Sequence, residues 1–474
     1  MKSNINNNYF ESDKLNHECG VLGIYDLDGE DVSSSIYYGL YGLQHRGQEG
    51  CGIAVSDTNG PLGNIKSHKG MGLMSEVFTE ESLDDLCGNI GVGHVRYASG
   101  RNKTIENVQP LVIHYAKGTL CLGLNGTLLN HKELKHELAY TGAIFQTSID
   151  TEIIAYVIAR ERLKAKSIEE AVKNTMKKIV GAYSIVMMSP RKLIGIRDPY
   201  GVHPLVIGKR DNTYIIASET SALDAIGAEI IRDVEPGEIV SIDKDGIHSD
   251  RSLVQEKKAR CIFEYIYFAR ADSKIDDVSV YNSRIMAGKL LAKSHPVDAD
   301  LVIGVPDSGK AAAVGYAQES GIPYGTAFIK NSYVGRTFIK PKQSMRETSV
   351  RIKLNVLKEM VEGKRIVMID DSIVRGTTSG IIVKALKDAG ATEVHVRISS
   401  PPFLHPCYYG TDVPSGDQLI AHNNSIEEIR QIIGADSLGY LAIEDLSAII
   451  DGQTGYCDAC FTGNYPIEQT KDMK

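Results

Sequence analysis

The chain has 474 residues, of which 42% are hydrophobic and 24% charged, and its formal net charge is −8 at pH 7. This length exceeds one ordinary core and predicts two or three domains. The acidic balance excludes a domain-wide basic surface, so we do not expect nucleic acid as a partner. Since no apolar run approaches the roughly 18 residues of a membrane span and no signal peptide is recognisable, we expect a cytoplasmic protein without a membrane partner.

The N-terminal 18 residues are polar and rich in asparagine, so they bury little apolar surface. A strand-like segment then begins abruptly at Cys19. This junction raises the hypothesis that residues 1–18 are a propeptide and that Cys19 becomes the first residue of the mature protein. A thiol needs a base near neutral pH, and an α-amino group with a pKa of about 8 can serve as that base.

Four segments of the first half resemble, in order, the signatures of N-terminal-nucleophile (class II) glutamine amidotransferases. They are Tyr41–Gly52, which contains Gln-His-Arg-Gly-Gln-Glu, and Gly93–Tyr97, Leu124–Asn130 and Thr147–Glu152. The resemblance implies a glutaminase domain with an αββα sandwich fold.

The resemblance also assigns roles to five residues. It implies that Cys19 is the nucleophile and that the side chain of Asn125 and the backbone N–H of Gly126 stabilise the tetrahedral intermediate. It implies that Arg96 binds the α-carboxylate of glutamine, where a planar guanidinium gives bidentate geometry, and that Asp150 binds the α-ammonium group.

Taken singly, these residues have ordinary interpretations. Cys19 could be a small buried residue, Arg96 a surface charge, and Asp150 the N-cap of a helix over residues 151–160. The sequence also departs from the usual family pattern, which predicts a divergent member. The departures are Leu124, Thr127, Ile149, His203 and, in the second half, Ser332.

Residues 245–258 are charged and lack apolar periodicity, so we place a domain boundary there. The predicted domains span residues 19–253 and 254–474. Beyond the boundary, short apolar runs alternate with helix-like segments, which predicts a parallel α/β sheet and makes the whole chain a combination of α/β and α+β. The predicted strands are Leu301–Val305, Arg365–Ile369 and Glu393–Ile398.

The most informative stretch is Arg365–Ser379, Arg-Ile-Val-Met-Ile-Asp-Asp-Ser-Ile-Val-Arg-Gly-Thr-Thr-Ser. Two carboxylates fall where the buried strand would end, and a glycine with small hydroxyl residues follows at a helix start. The helix body is predicted over Ile381–Ala389, ended by Gly390. Backbone N–H groups at a helix N-terminus bind phosphate, and carboxylates suit ribose hydroxyls and Mg²⁺. The alternative is an ordinary strand, acidic turn and capped helix.

This stretch resembles the phosphoribosylpyrophosphate (PRPP) signature of type I phosphoribosyltransferases and, in its long form, that of glutamine PRPP amidotransferases. The resemblance implies a phosphoribosyltransferase domain in the second half. The PRPP-binding residues that it implies within the stretch are Asp370, Asp371, Ser372, Arg375, Gly376, Thr377, Thr378 and Ser379.

A second small-residue turn, Pro306–Ala313, is placed to hold the pyrophosphate of PRPP, although an ordinary turn remains an alternative. The resemblance implies that Ser308 joins Asp370 and Asp371 around Mg²⁺, for which oxygen ligands are suited.

Residues 327–354 have poor periodicity and more basic than acidic residues, which is typical of a mobile lid over a diphosphate. The resemblance implies that Lys330, Tyr333 and Arg336 in this lid bind PRPP. The alternative is a solvated basic loop.

Four cysteines of the second half could ligate one metal centre: Cys261, Cys407 and the Cys-x-x-Cys pair Cys457 and Cys460. Spacing alone does not separate structural zinc, an iron–sulfur cluster and unligated thiols. The resemblance to the family branch that has both a propeptide and a cluster implies a structural [4Fe–4S] cluster. We expect the remaining cysteines, Cys51, Cys87 and Cys121, only to pack.

Together the resemblances imply an enzyme that makes 5-phosphoribosylamine, glutamate and pyrophosphate from PRPP, glutamine and water, the first step of purine synthesis. They also imply an internal ammonia channel, feedback inhibition by purine nucleotides, and a homo-oligomer that is a dimer or a tetramer. Two alternatives stay open: a paralogue that delivers ammonia to another acceptor, and a PRPP-sensing regulator without catalysis.

Overall fold

The computed structural model describes residues 19–61, 63–97, 103–331, 354–411, 413 and 415–468. The predicted propeptide, the lid residues Tyr333 and Arg336, and the departure at Ser332 lie outside the described residues. Within the described part, no helix is long and apolar enough to cross a membrane.

Two antiparallel sheets form the centre of the first half. The strands are β1 (Gly20–Asp26), β2 (Gly50–Ser56), β3 (Ile65–Met71), β4 (Ile90–Arg96), β5 (Leu111–Tyr115), β6 (Gly118–Leu128), β7 (Gly181–Ser189), β8 (Lys192–Arg197), β9 (Val206–Arg210), β10 (Thr213–Ala217), β11 (Glu229–Asp233), β12 (Ile239–Asp243) and β13 (Gly246–Asp250). One sheet has the order β11-β9-β10-β1-β4-β2-β3, and the other has the order β13-β12-β8-β7-β6-β5.

Helices cover the outer face of each sheet. They are α1 (Ser33–Gly42), α2 (Met74–Val77), α3 (Glu80–Asp84), α4 (His131–Tyr140), α5 (Asp150–Lys164), α6 (Ile168–Met176) and α7 (Thr220–Ala225). Along β1, Leu22 and Ile24 pack in the core under α1 and α7, whereas Val21 and Tyr25 pack in the core shared with the second sheet. Successive strand residues point to opposite faces, so one apolar strand serves both layers. The predicted αββα sandwich is confirmed.

The second half is built on a parallel sheet of order β17-β20-β21-β22. The strands are β14 (Arg260–Cys261), β15 (Lys274–Ile275), β16 (Val278–Ser279), β17 (Leu301–Gly304), β18 (Phe328–Lys330), β19 (Leu354–Val356), β20 (Arg365–Asp370), β21 (Glu393–Ile398), β22 (Ser437–Tyr440) and β23 (Tyr456–Cys457). The helices are α8 (Val280–Ser294), α9 (Gly309–Ser320), α10 (Lys358–Val361), α11 (Thr377–Asp388), α12 (Ile420–Asn423), α13 (Ile426–Ile433) and α14 (Ala459–Thr462). Helices α8 and α9 pack on one face of the sheet, and α11 and α13 pack on the other. This confirms the predicted parallel α/β architecture.

Several local predictions were wrong. Helix α11 begins at Thr377 rather than at Ile381, because its first turn is polar and gives no apolar signal. The alternative interpretation of Asp150 as a helix N-cap is also wrong, because Asp150 lies inside the first turn of α5 and the N-cap is Ile149. Cys87 is exposed, so it does not pack in a core as Cys51 and Cys121 do.

A buried ion pair joins the two halves. The fully buried guanidinium of Arg197, at the end of β8, donates to both carboxylate oxygens of Asp276 in the second half, at 2.9 and 3.2 Å. Burial, followed by the negative charge of Asp276, raises the pKa of the neighbouring Asp233 to about 6, although Arg197 opposes the rise. At neutral pH the charged carboxylate of Asp233 therefore destabilises the folded protein.

We predict that Asp233→Asn stabilises the protein at pH 7.5 more than at pH 4.5. A carboxyl group with a raised pKa binds a proton more tightly when folded, so its favourable contribution is present below about pH 4 and is lost as the pH rises through about 6. The expected gain at pH 7.5 is on the order of 2 kcal/mol. Thermal unfolding of both proteins at both pH values measures it, and an equal shift of Tm at the two pH values would contradict the account.

Candidate functional site

The first two strands to meet at the predicted glutaminase site are β1 and β4. Gly20 pairs with Val95 in their antiparallel register, so Cys19 lies at the end of the sheet where Arg96 also lies. The Cys19 thiol lies 3.7 Å from the carbonyl oxygen of Tyr97. Burial lowers the pKa of Arg96, and the nearby Cys19 raises it in opposition. The nucleophile and the carboxylate-binding guanidinium predicted from the sequence are therefore neighbours.

The predicted oxyanion residues lie near the C-terminal end of β6. Asn125 is fully buried, and neither polar atom of its side-chain amide has a hydrogen-bond partner among the described residues. Gly126 has a φ of +123°, and a Cβ there would lie 2.1 Å from the carbonyl oxygen of Ala182. Only glycine fits this position. A buried amide without a partner is costly, so this one is typical of a group that waits for a ligand.

His94 connects the two sheets at this point, and sequence reasoning assigned it no role. Its Nε2 lies 3.0 Å from the carbonyl oxygen of Leu124, directly before Asn125. Burial lowers the pKa of His94 to about 3, although the bond to Leu124 opposes this. The ring is therefore neutral at pH 7 and donates from Nε2, because a carbonyl oxygen only accepts. Leu124 thus helps to position the neighbouring Asn125 through its backbone carbonyl and not through its side chain.

Asp150 is held against the strand that carries the oxyanion residues. Its Oδ2 accepts hydrogen bonds from the Thr127 hydroxyl at 2.9 Å and from the Leu128 backbone N–H at 2.8 Å. Thr127 is one of the departures from the family pattern. Its hydroxyl fixes the carboxylate predicted to bind the substrate ammonium group.

The two carboxylates of the predicted PRPP site lie at the carboxyl end of β20, where ligands of open parallel sheets bind. Asp370 and Asp371 are 2% and 3% exposed. The two carboxylate oxygens of Asp371 accept hydrogen bonds from the hydroxyls of Ser308 and Ser372, the latter at 2.6 Å. The structure therefore brings together the three residues predicted to surround Mg²⁺.

The predicted phosphate cradle follows directly. Gly376 has a φ of +82° and is the N-cap of α11, so the first N–H groups of the helix, from Thr377 onward, face away from the helix body. Arg375 donates from Nη2 to the side-chain oxygen of Gln418 at 2.9 Å. Sequence reasoning missed Gln418, which lies far from Arg375 in the chain and carries no motif.

Lys330, at the start of the predicted lid, forms an ion pair with Asp307 in the turn before Ser308. Lys310 pairs with the same carboxylate at 2.8 Å. Burial alone would raise the pKa of Asp307, but the hydrogen bonds and charges of the two lysines outweigh it and lower the pKa. This pairing holds the start of the lid beside the predicted pyrophosphate turn.

The four cysteines of the second half line one cavity of about 430 Å³, counted with its open mouth. Cys261 and Cys457 are direct neighbours in the parallel pairing of β14 with β23. The N–H of Tyr409 lies 3.4 Å from the sulfur of Cys407. Burial raises the pKa of Cys457 to about 12 and raises that of Cys460 as well. Within the described residues, no three His, Cys, Asp or Glu side chains are close enough to share one metal ion.

The loop that carries Cys407 also contacts the first half of the chain. His203 Nε2 lies 2.8 Å from the carbonyl oxygen of Tyr409, and a Cβ at Gly410 would lie 3.3 Å from the Cα of Gly126. The departure at His203 thus replaces a family arginine with a shorter side chain that still reaches across the interface.

Comparisons with known proteins find one family model in the first half of the chain and relatives along nearly its whole length. A family model described as a glutamine amidotransferase domain matches residues 94–225. The amidophosphoribosyltransferase of Methanocaldococcus jannaschii is 49% identical over 95% of this chain and 98% of its own length. That of Bacillus subtilis is 48% identical over 97% and 96%. The solved structure of the B. subtilis glutamine PRPP amidotransferase, complexed with ADP and GMP, has a TM-score of 0.89 and covers 96% of this chain and 98% of that chain. The chain belongs to the amidophosphoribosyltransferase family.

Proposed function

We propose that this chain is a glutamine-dependent amidophosphoribosyltransferase, which makes 5-phosphoribosylamine, glutamate and pyrophosphate from PRPP, glutamine and water. The observation that carries the proposal is the presence of two half-sites in one chain that belongs to this family. One half-site is the buried amide of Asn125 on β6, a strand that His94 connects to the sheet beside Cys19. The other is the pair Asp370 and Asp371, which precedes the N-terminus of a helix suited to bind phosphate.

In the glutaminase half-reaction, Cys19 attacks the side-chain amide carbon of glutamine. Removal of residues 1–18 frees its α-amino group, which takes the thiol proton and passes it to the leaving ammonia. The Asn125 amide and the Gly126 N–H stabilise the negative charge on the carbonyl oxygen in the tetrahedral intermediate. The C–N bond breaks, ammonia leaves, and water then cleaves the thioester to give glutamate.

Two charged side chains orient the substrate. Arg96 pairs with the α-carboxylate of glutamine, and Asp150 with its α-ammonium group. Asp150 is fixed by Thr127 and Leu128 on the oxyanion strand. Recognition and charge stabilisation are therefore coupled through a single strand.

In the second half-reaction, ammonia displaces pyrophosphate from C1 of the ribose. The N-terminal N–H groups of α11 and the side chains of residues 375–379 bind the 5′-phosphate, while Lys330 and the lid residues Tyr333 and Arg336 hold the pyrophosphate and exclude water. Buried carboxylates at a strand end beside the Ser308 hydroxyl are oxygen ligands that fit Mg²⁺. When bound there, Mg²⁺ would neutralise charge on the pyrophosphate leaving group.

The cysteine cavity fits a [4Fe–4S] cluster better than a zinc ion. Four thiols surround one mostly apolar cavity, yet no three described ligands are close enough for a single ion. The Tyr409 N–H directed at the Cys407 sulfur is the kind of donor that supports a cluster thiolate. A cluster held by these cysteines would have a structural role, because they lie on β14, on β23, on α14 and in the loop that contacts Gly126.

We also propose domain bounds, an ammonia channel, a localisation, an oligomeric state and a mode of regulation. Residues 19–253 form the glutaminase domain and residues 254–474 the phosphoribosyltransferase domain, and a channel between them carries ammonia. The protein is a cytoplasmic homo-oligomer, a dimer or a tetramer, inhibited by purine nucleotides. The nucleotide complex of the B. subtilis relative supports this regulation.

We predict that Asn125→Ala lowers glutamine-dependent synthesis about 100-fold or more, because one oxyanion donor is lost. Synthesis with ammonia should be unchanged, and Tm should change little, since the amide has no hydrogen-bond partner among the residues that the structure describes. Steady-state assays with glutamine and with ammonia measure both activities.

The matched control is Asn130→Ala. Asn130 bonds the carbonyl of Lys178 and the N–H of Val180, so its loss should lower Tm while glutamine use remains. If Asn125→Ala retained glutamine-dependent activity, the assignment of the oxyanion site would be wrong.

We predict that anaerobically purified protein contains about four iron and four sulfide per chain, and that Cys457→Ser loses them and has a lower Tm. Cys87→Ser, at an exposed cysteine, should retain the iron and the Tm. Metal and acid-labile sulfide analysis decides the point. One zinc per chain without sulfide would refute the cluster.

A further inference from the structure

Arg46, in the Gln-His-Arg-Gly-Gln-Glu motif, lies fully buried between the two halves. Its Nη2 donates to Oε2 of Glu264 in the second half at 2.6 Å, and its Nε donates to Glu219 in the first half. All three side chains are at most 1% exposed. Buried charges interact strongly because little water screens them.

The stem of Arg46 lies behind the glutaminase site. A Cβ at Gly20, the residue after Cys19, would lie 3.5 Å from the Cδ of Arg46. A Cβ at Gly47 would lie 2.5 Å from the backbone nitrogen of Arg96. A displacement of Arg46 therefore reaches the backbone of both the nucleophile and the substrate-binding arginine.

Glu219 binds the second half as well. Its Oε2 accepts hydrogen bonds from the N–H of Arg270 at 2.9 Å and from the hydroxyl of Ser273 at 2.7 Å, and its Oε1 lies 2.7 Å from Nε2 of His45. Burial alone would raise the pKa of Glu219, but the charges of His45 and Arg46 outweigh it and hold the pKa well below its usual value.

Glu264 begins a five-residue π-helix, Glu264–Phe268, a rare element that is frequent at functional sites. Arg284 of α8, which is 5% exposed, donates from Nε to the carbonyl of Tyr265 at 3.0 Å and from Nη2 to that of Ala269 at 2.7 Å. The position of the π-helix thus depends on the position of α8.

Helix α8 leads from there to the PRPP site. It packs so closely on α9 that a Cβ at Gly288 would lie 1.8 Å from the carbonyl oxygen of Ala312. Helix α9 starts directly after Ser308, whose hydroxyl bonds Asp371. Burial lowers the pKa of Arg284, and the carboxylate of Asp371 is the largest influence against it.

We infer that Arg284, Glu264 and Arg46 are positioning residues that couple the PRPP site to the glutaminase site through a continuous series of buried contacts. The series runs from Ser308 and Asp371 through the packed helices α9 and α8 to Arg284. It continues through the carbonyls of the π-helix to Glu264, and then to Arg46 behind Cys19. A shift of the turn at Ser308 when PRPP binds is passed along these closely packed elements. This inference rests on the proposed function and adds a route by which PRPP controls glutamine hydrolysis.

The test compares glutaminase activity with and without PRPP in wild type and in Arg284→Met. We expect the stimulation by PRPP to fall about fivefold or more in the variant, a coupling of ordinary size. The basal glutaminase rate, the ammonia-dependent synthesis and the KM for PRPP in that synthesis should stay near wild-type values. A merely structural role for Arg284 would lower the stimulation, the basal rate and the ammonia-dependent synthesis together, and would raise the KM for PRPP.

Two further variants complete the test. Glu264→Gln keeps the shape but removes the charge, so it should also lose stimulation, and it decides the matter if Arg284→Met does not fold. Arg397→Met removes another buried arginine that bonds a carbonyl, that of His295, and should keep stimulation. Full stimulation in both Arg284→Met and Glu264→Gln overturns the inference. Absence of stimulation in wild type, with synthesis from glutamine intact, also overturns it but leaves the proposed function standing.

Discussion

The structure depends on charges that are buried where its two halves meet. Arg46, Glu219 and Glu264 are almost completely excluded from solvent, and Arg197 binds Asp276 across the same interface. Removing Arg46 would leave the buried carboxylates of Glu219 and Glu264 without the charge that they share, and breaking a buried pair in this way costs about 3–5 kcal/mol. The relative position of the two half-sites is therefore strongly constrained. The transfer of ammonia between domains that we propose needs that constraint.

The cavity lined by the four cysteines borders the same interface, because Val202 of the first half is part of its wall. The loop that carries Cys407 continues through Tyr409 to Gly410, which rests against Gly126 of the oxyanion strand. A cluster held there, as proposed above, would fix this loop and with it the wall of the proposed glutaminase site.

The candidate residues of both sites were named from the sequence because they stand in contiguous motifs. Asn125-Gly126 came from the resemblance alone, whereas Asp370-Asp371 also followed from their place at the end of an apolar strand. His94 and Gln418 could not be predicted, because their partners are set by the stacking of two sheets and by a distant loop. The start of α11 was missed for a different reason, since its first turn contains only threonine, serine and glycine.

Three of the departures from the family pattern make contacts that explain how they fit the structure. Leu124 contributes through its backbone groups, so its side chain is free to join the core, and Thr127 supplies a hydroxyl to Asp150. His203 retains a bond across the interface. Each of these three residues makes an interaction that its residue type alone does not reveal.

The most direct test of the account is the stoichiometry of a single reaction mixture that contains anaerobically purified protein, glutamine and PRPP. Glutamate, pyrophosphate and free ammonia would be measured together, with the N-terminal sequence determined on the same sample. The account predicts a chain that starts at Cys19, one glutamate released for each pyrophosphate, and little free ammonia. Glutamate release without pyrophosphate, or an active chain that still begins at Met1, would contradict it.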